Sequence, residues 1–143
     1  MLNLQNEALL TTTVKDYLIP SERVAHVQIE NNLEHALLVL TKSGYTAIPV
    51  LDPFYKLHGL ISTPMILDSI LGLTRIEFEK LENKKVNEVM NRDIPTLHVN
   101  DHLKKGLELL IDHPFICVQN EEGILEGILT RRAILKQLNE QLS

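Results

Sequence analysis

Tryptophan is absent from this chain of 143 residues, and three Phe and three Tyr are its only large aromatic side chains. A hydrophobic content of 44% is still enough for a real core, so Leu, Ile and Val must build it. Basic charge is scarce as well: 14 Lys and Arg face 19 Asp and Glu, for a net charge of −5. A non-specific nucleic-acid binder needs a dense basic face to replace the counterions along phosphates, so that class is excluded and any anion binding must be local. No apolar run approaches the roughly 18 residues of a membrane span. The opening stretch MLNLQNEALLTTTV lacks the basic start and apolar core of a signal peptide, so a cytosolic protein is expected, with no membrane and no nucleic-acid partner. One cysteine, Cys117, allows no internal disulfide and no cysteine-based zinc cluster, which suits a reducing compartment. There is no GxSxG, P-loop or GxGxxG motif and no pair of carboxylates framed by glycines, so a non-enzymatic role is expected.

What the chain does contain is the same order of signals twice. Val27-Gln28-Ile29 followed by Leu33, Ala36, Leu37 and Leu40 recurs seventy residues later as Leu97-His98-Val99 followed by Leu103, Gly106, Leu107 and Leu110. The i, i+3, i+4, i+7 spacing marks a one-sided helix in each half. Asn31 with Glu34 reads as a capping box for the first helix and Asp101 as an N-cap for the second. Gly106 stands where the first half has Ala36, which suits close helix packing.

The runs AIPVLD (47–52) and FICVQN (115–120) read as buried strands that end in a turn-forming Asp or Asn. LHGLIST (57–63) and LEGILTR (125–131) supply the second strands of two hairpins. A helix follows each, from Pro64 to about Leu71 and from Arg131 to about Leu138, with Ser62 or Thr63 and Thr130 as N-caps. Val86 to Met90 echoes Val14 to Leu18 at the start of each half. The expected organisation is an α/β (α+β) fold: an N-terminal helix and first motif over residues 1–73, a charged helical or partly helical connector over 74–85, and a second motif over 86–143. Glu77, Glu79, Lys80, Glu82, Lys84 and Lys85 read as a solvated face of that connector.

The stretch GILTRRAIL (127–135) sets Arg131 and Arg132 at the joint between a strand and a helix. Such arginines are either solvated or wait for an anion. A cation at a helix N-terminus opposes the macrodipole, and the matching stretch GLISTPMIL carries no charge there, which favours an anion. Arg23 lies in an exposed loop after Pro20-Ser21-Glu22 and has Glu22 as an alternative partner. Of six histidines, His98 and His102 are four apart but span a strand and a cap, and the others show no ligand spacing, so no metal is expected. Cys117 reads as a small core residue.

The duplicated strand-helix-strand-strand-helix order, carried by GYTAIPVLD with LHGLIST and by FICVQNEEGILEGILTRRAIL, resembles a tandem pair of CBS motifs, a Bateman module, over essentially the whole chain. The run VAHVQIENNLEHALLVLTKSGYTAIPVLD, the connector RIEFEKL and the ending TRRAILK further resemble the small stand-alone CBS proteins of Gram-positive bacteria that bind cyclic di-AMP. The resemblance implies two motifs packed about a pseudo-twofold axis and a sensor without enzymatic activity. It also implies a partner, the (p)ppGpp synthetase/hydrolase, engaged in the ligand-free form, with pyruvate carboxylase as a further type of partner.

Two clefts are implied. The first takes Arg23, Val24, Ala25, His26, Val27, Gly44, Tyr45, Thr46, Ala47 and Ile48 from the first motif and Thr130, Arg131 and Arg132 from the second. The second takes Thr96, Leu97, Pro114 and Phe115 with Ser62, Thr63 and Pro64, and lacks the charges, so one phosphate-binding site per chain is expected. In the first, Ala25 and Ala47 admit a flat base, Val27 and Ile48 offer apolar walls, and Tyr45 stacks or closes the entrance. The CBS pattern for nucleoside phosphates sets an acid three residues after the Ser or Thr to hold a ribose. Met65 and Ala133 stand there instead, which disfavours the alternative ligands AMP, ADP or ATP. A homodimer through exposed helices is expected.

Overall fold

The computed structural model describes residues 11–142. The expected N-terminal helix precedes residue 11 and lies outside them. After a 3-10 turn at Val14–Asp16 come β1 (Ile19–Pro20), a second 3-10 turn (Ser21–Arg23), β2 (Val27–Gln28), α1 (Leu33–Ser43), β3 (Ala47–Leu51), β4 (Leu57–Ser62) and α2 (Thr63–Ser69). Short α3 (Lys80–Asn83) and α4 (Val86–Val89) precede β5 (Thr96–His98), α5 (Leu103–Leu110), β6 (Phe115–Gln119), β7 (Leu125–Thr130) and α6 (Arg131–Leu142). These elements form two compact units, one of residues 25–94 and one of residues 1–24 with 95–143.

In the unit of residues 25–94, β2 lies parallel to β3 with Val27 opposite Val50, and β3 and β4 form an antiparallel hairpin with Ala47 opposite Ser62. The apolar stripe of α1 packs Leu33, Ala36 and Leu40 against Ile48, Val50, Ile61, Ile66 and Ile70. Each such aliphatic side chain removed from water contributes about 1.5–3 kcal/mol, which is how a chain poor in aromatics holds its core. In the other unit, β5 lies parallel to β6, β6 pairs antiparallel with β7, and β1 is added antiparallel to β7. Its core joins Leu97, Leu103, Leu110, Ile116, Val118, Leu129 and Ile134. A Cβ on Gly106 would sit 2.5 Å from Leu129 Cδ2, so glycine there allows α5 to approach the sheet.

The segment that leads into each motif is hydrogen-bonded to the backbone of the other, as strand β1 in one case and through isolated bridges in the other. Val14 N–H donates to the Asp101 carbonyl at 2.9 Å, and Leu103 N–H donates to Thr12 at 2.8 Å. Seventy-odd residues on, Val86 N–H donates to the Asn31 carbonyl at 2.8 Å and Leu33 N–H to Lys84 at 2.9 Å. Beyond these points Ile19 pairs with Ile128, and Leu60 pairs with Asn91 through bonds of 3.0 and 2.9 Å. Gly127 and Gly59 make this approach possible, because a Cβ at either would collide with the backbone carbonyl of Ile19 or Asn91.

Two helix starts differ from expectation. Asn32, not Asn31, caps α1 by accepting the His35 N–H at 2.9 Å. His102 occupies the N-cap of α5 without a side-chain cap bond. Asn31 and Asp101 stand one residue earlier in both motifs, where their side chains accept the N–H of Gln28 and of His98, each at 2.8 Å. Short polar side chains serve a turn as readily as a cap, and here the turn that ends the first strand wins. The connector is partly helical, with Lys84 Nζ donating to the Ser69 carbonyl at the end of α2 (2.8 Å) and Lys85 Nζ to Glu30 (2.8 Å).

Candidate functional site

Thr130 ends β7 and caps α6, its Oγ1 accepting the Ala133 N–H at 3.0 Å. Ser62 does the same for α2 with Met65 at 3.2 Å. The backbone N–H of Arg131 donates to the Pro114 carbonyl at 3.0 Å, as Thr63 N–H does to Thr46 at 3.1 Å. The two joints share a backbone design, and they differ in side chains.

Arg131 turns out of the joint toward α5. Its Nε donates to the Leu110 carbonyl at 2.7 Å and its Nη2 to the Ile111 carbonyl at 3.1 Å. The cause lies at the two helix ends. In α1, Gly44 at φ +78° closes the helix by donating its N–H to Leu40 at 3.0 Å, the left-handed C-cap that glycine permits. In the second motif the helix ends at Leu110 and the stretch between that leucine and the strand is IDHP, two residues shorter than the TKSGYT that follows Leu40 and without glycine. Among the described residues the carbonyls of Leu110 and Ile111 have no backbone donor, and a cation near a helix C-terminus both donates to them and answers the dipole. The charge at position 131 therefore has a partner in the scaffold.

Arg132 has none. It is exposed, and neither its guanidinium nor its backbone N–H has a partner among the described residues. The first turn of α6 contains no acid to offset it. Arg23 closes the 3-10 turn that follows β1, and β1 is hydrogen-bonded to β7, so the sheet brings Arg23 into the unit that carries Thr130, Arg131 and Arg132. Arg23 is exposed and does not pair with Glu22, whose carboxylate instead accepts the Ser21 hydroxyl at 3.1 Å. Among the described residues, this unit thus presents two guanidiniums without a hydrogen bond or ion pair, Arg23 and Arg132, that can fork onto phosphate oxygens.

Ala25, Val27, Tyr45, Thr46, Ala47 and Ile48 belong to the other unit. Val27 and Ile48 are fully inside its core, at 2% and 1% exposure, and Ala25 packs against that core while remaining partly accessible. Tyr45 and Thr46 are exposed on the loop into β3, and Ala47 opens that strand. Small and open backbone positions thus flank one buried apolar pair, a surface a flat base can approach. Of the residues at the usual ribose-acid positions, Met65 packs against the core and Ala133 is half-buried.

Cys117 is buried in β6, and burial pushes its thiol from about 9 up to about 12. Among the described residues, no group of three or more His, Cys, Asp or Glu is placed to hold a metal ion, and no helix is long and apolar enough to cross a membrane.

Two congruent strand-helix-hairpin-helix motifs with a basic helix start in one of them define a CBS pair. The chain belongs to the CBS domain family, which matches residues 14–72 and 86–140. It is 59% identical over 142 residues to the cyclic di-AMP receptor B of Bacillus subtilis, covering 99% of this chain and 97% of that protein. Among solved structures, a CBS domain-containing protein of unknown function from Bacillus anthracis superposes with a TM-score of 0.87 at 67% identity, over 94% of this chain and 98% of that one. The Listeria monocytogenes CbpB protein in complex with c-di-AMP superposes with a TM-score of 0.83 at 56% identity, covering 89% and 95% of the two chains.

Proposed function

We propose that this protein is a cytosolic receptor for cyclic di-AMP that acts without catalysis, engaging a partner enzyme in its ligand-free form and releasing it when the nucleotide binds. Arg132 carries the reading: an exposed cation with unpartnered donors at a helix N-terminus, where it opposes the dipole until an anion answers it. Arg23 and Arg132 supply the phosphate contacts, beside Thr130 and Arg131. Ala25, Tyr45, Thr46 and Ala47 supply the adenine contacts, with backbone N–H and C=O groups reading the base edge, while the side chains of Val27 and Ile48 lie in the core beneath them. The absence of an acid at Met65 and Ala133 supports a cyclic dinucleotide over AMP, ADP or ATP. The strong likeness to the Bacillus subtilis receptor supports the same ligand.

The partner we propose is the (p)ppGpp synthetase/hydrolase, with pyruvate carboxylase as a second. A homodimer through the last helices is supported by Leu67 on α2 and Leu135 on α6, exposed at 38% and 63%. Calorimetry with cyclic di-AMP, AMP, ADP and ATP tests the ligand: cyclic di-AMP alone binding tightly is expected, and tighter binding of a mononucleotide overturns the reading. Capture from a bacterial lysate tests the partner, which should be retained without cyclic di-AMP and lost with it. Sedimentation at micromolar concentration should show a dimer.

A further inference from the structure

The two hairpin turns of this protein are the same object built twice. In the β3–β4 turn, Asp52 Oδ1 accepts the N–H of Phe54 at 2.8 Å and of Lys56 at 3.1 Å, while Tyr55 N–H donates to the Asp52 carbonyl at 2.9 Å. In the β6–β7 turn, Asn120 Oδ1 accepts the N–H of Glu122 at 2.9 Å and of Ile124 at 3.0 Å, while Gly123 N–H donates to the Asn120 carbonyl at 3.0 Å. Both turns need a left-handed residue at the same place, with φ +82° at Gly123 and φ +68° at Tyr55. Glycine adopts that conformation freely, and a bulky side chain does so under strain. Tyr55 is the only non-glycine residue with positive φ among the described residues. Its repeat-mate shows that the turn itself does not require a tyrosine.

The ring has a definite partner. It meets the imidazole of His26 edge to face, with centroids 5.1 Å apart and planes at 69°, a favoured aromatic geometry. His26 lies between Ala25 and Val27. In the second motif the parallel ladder starts at Thr96, which pairs with Cys117, whereas in the first it starts one residue later, at Val27. Ala25 and His26 therefore stand just outside the ladder. The strain at Tyr55 and the late start of the ladder meet at one residue, His26.

We propose that Tyr55 is a positioning residue for the nucleotide site: its ring braces His26 and so holds the backbone of Ala25 to Val27 in the conformation that meets the adenine. This rests on the cyclic di-AMP reading above. Tyr55 touches no ligand. It keeps the base-reading segment ordered before the ligand arrives, which lowers the cost of ordering on binding.

The test compares Tyr55→Gly and Tyr55→Phe by calorimetry with cyclic di-AMP, by thermal melting, and by the His26 ring-proton resonances of the ligand-free protein. Tyr55→Gly relieves the backbone strain, so it should melt within a few degrees of the wild type yet bind cyclic di-AMP about tenfold more weakly. Tyr55→Phe keeps the ring and should bind within about twofold of the wild type. In the ligand-free protein, the His26 resonances should shift in Tyr55→Gly and stay in Tyr55→Phe. Unchanged affinity in Tyr55→Gly overturns the proposal, as does an equal loss in Tyr55→Phe, which would assign the effect to the hydroxyl. If the wild type fails to bind cyclic di-AMP, the ligand reading falls. The bracing is then decided by the resonances, and an unmoved His26 in Tyr55→Gly overturns it as well.

Discussion

Arg131 donates from Nε to the Leu110 carbonyl at 2.7 Å, so the first residue of α6 closes the last turn of α5. Together with the bond to Ile111 this replaces the glycine cap that the first motif has at Gly44. Replacing Arg131 with Met leaves two helix-end carbonyls without their donor. The loss should be about 1–2 kcal/mol, allowing for the exposure of the group, and the melting temperature should fall by several degrees. An unchanged melting temperature would show that the cap is idle in solution.

Arg132 predicts the opposite pattern. Its side chain makes no hydrogen bond or ion pair among the described residues, so Arg132→Met should melt like the wild type. Its affinity for cyclic di-AMP should drop by roughly 2 to 4 kcal/mol, about 30-fold to several hundred-fold. Calorimetry showing wild-type affinity in this variant would remove Arg132 from the phosphate contacts.

The exchanged lead-in segments depend on two glycines. Gly127→Ala drives a methyl into the Ile19 carbonyl, and Gly59→Ala does the same at Asn91. Backbone cannot step aside as the end of a flexible side chain can, so each substitution should cost about 1–3 kcal/mol in urea denaturation. Equal stability of either variant to the wild type would contradict the close pairing.

Cys117 reports on the folded state. With its thiol held near pH 12 inside β6, alkylation at pH 8 should be slow in native protein and fast in urea. A group whose folded pKa is raised contributes stability below its unfolded value and loses it as pH rises through the folded one. Native stability should therefore decline between about pH 9 and pH 12, and less so in Cys117→Ala. Rapid native labelling at pH 8 would contradict this burial.

Much of this protein is written in local pattern. The strands around Val50 and Val118, the helices that bury Leu33 and Leu103, and the Ser62 and Thr130 caps follow from periodicity and from side chains that bond within three residues of themselves. These signals repeat, and the repeat shows the fold in duplicate. Local pattern did not show the second partner of Arg131: its absence from the first motif pointed to a ligand, and the structure adds that its guanidinium bonds the end of α5, where the IDHP stretch carries no glycine.

What the chain alone determined is which residues are buried and which segments form helices and strands, because burial leaves a period of two or of 3.6 residues in the sequence. Tertiary structure decided the partners. Val14 joins Asp101, Val86 joins Asn31, Arg131 finds Leu110, and the strained Tyr55 finds His26 across 29 residues of sequence. Such choices rest on hydrogen bonds and ring contacts between segments far apart in the chain, and nothing in the local pattern of either segment names the other.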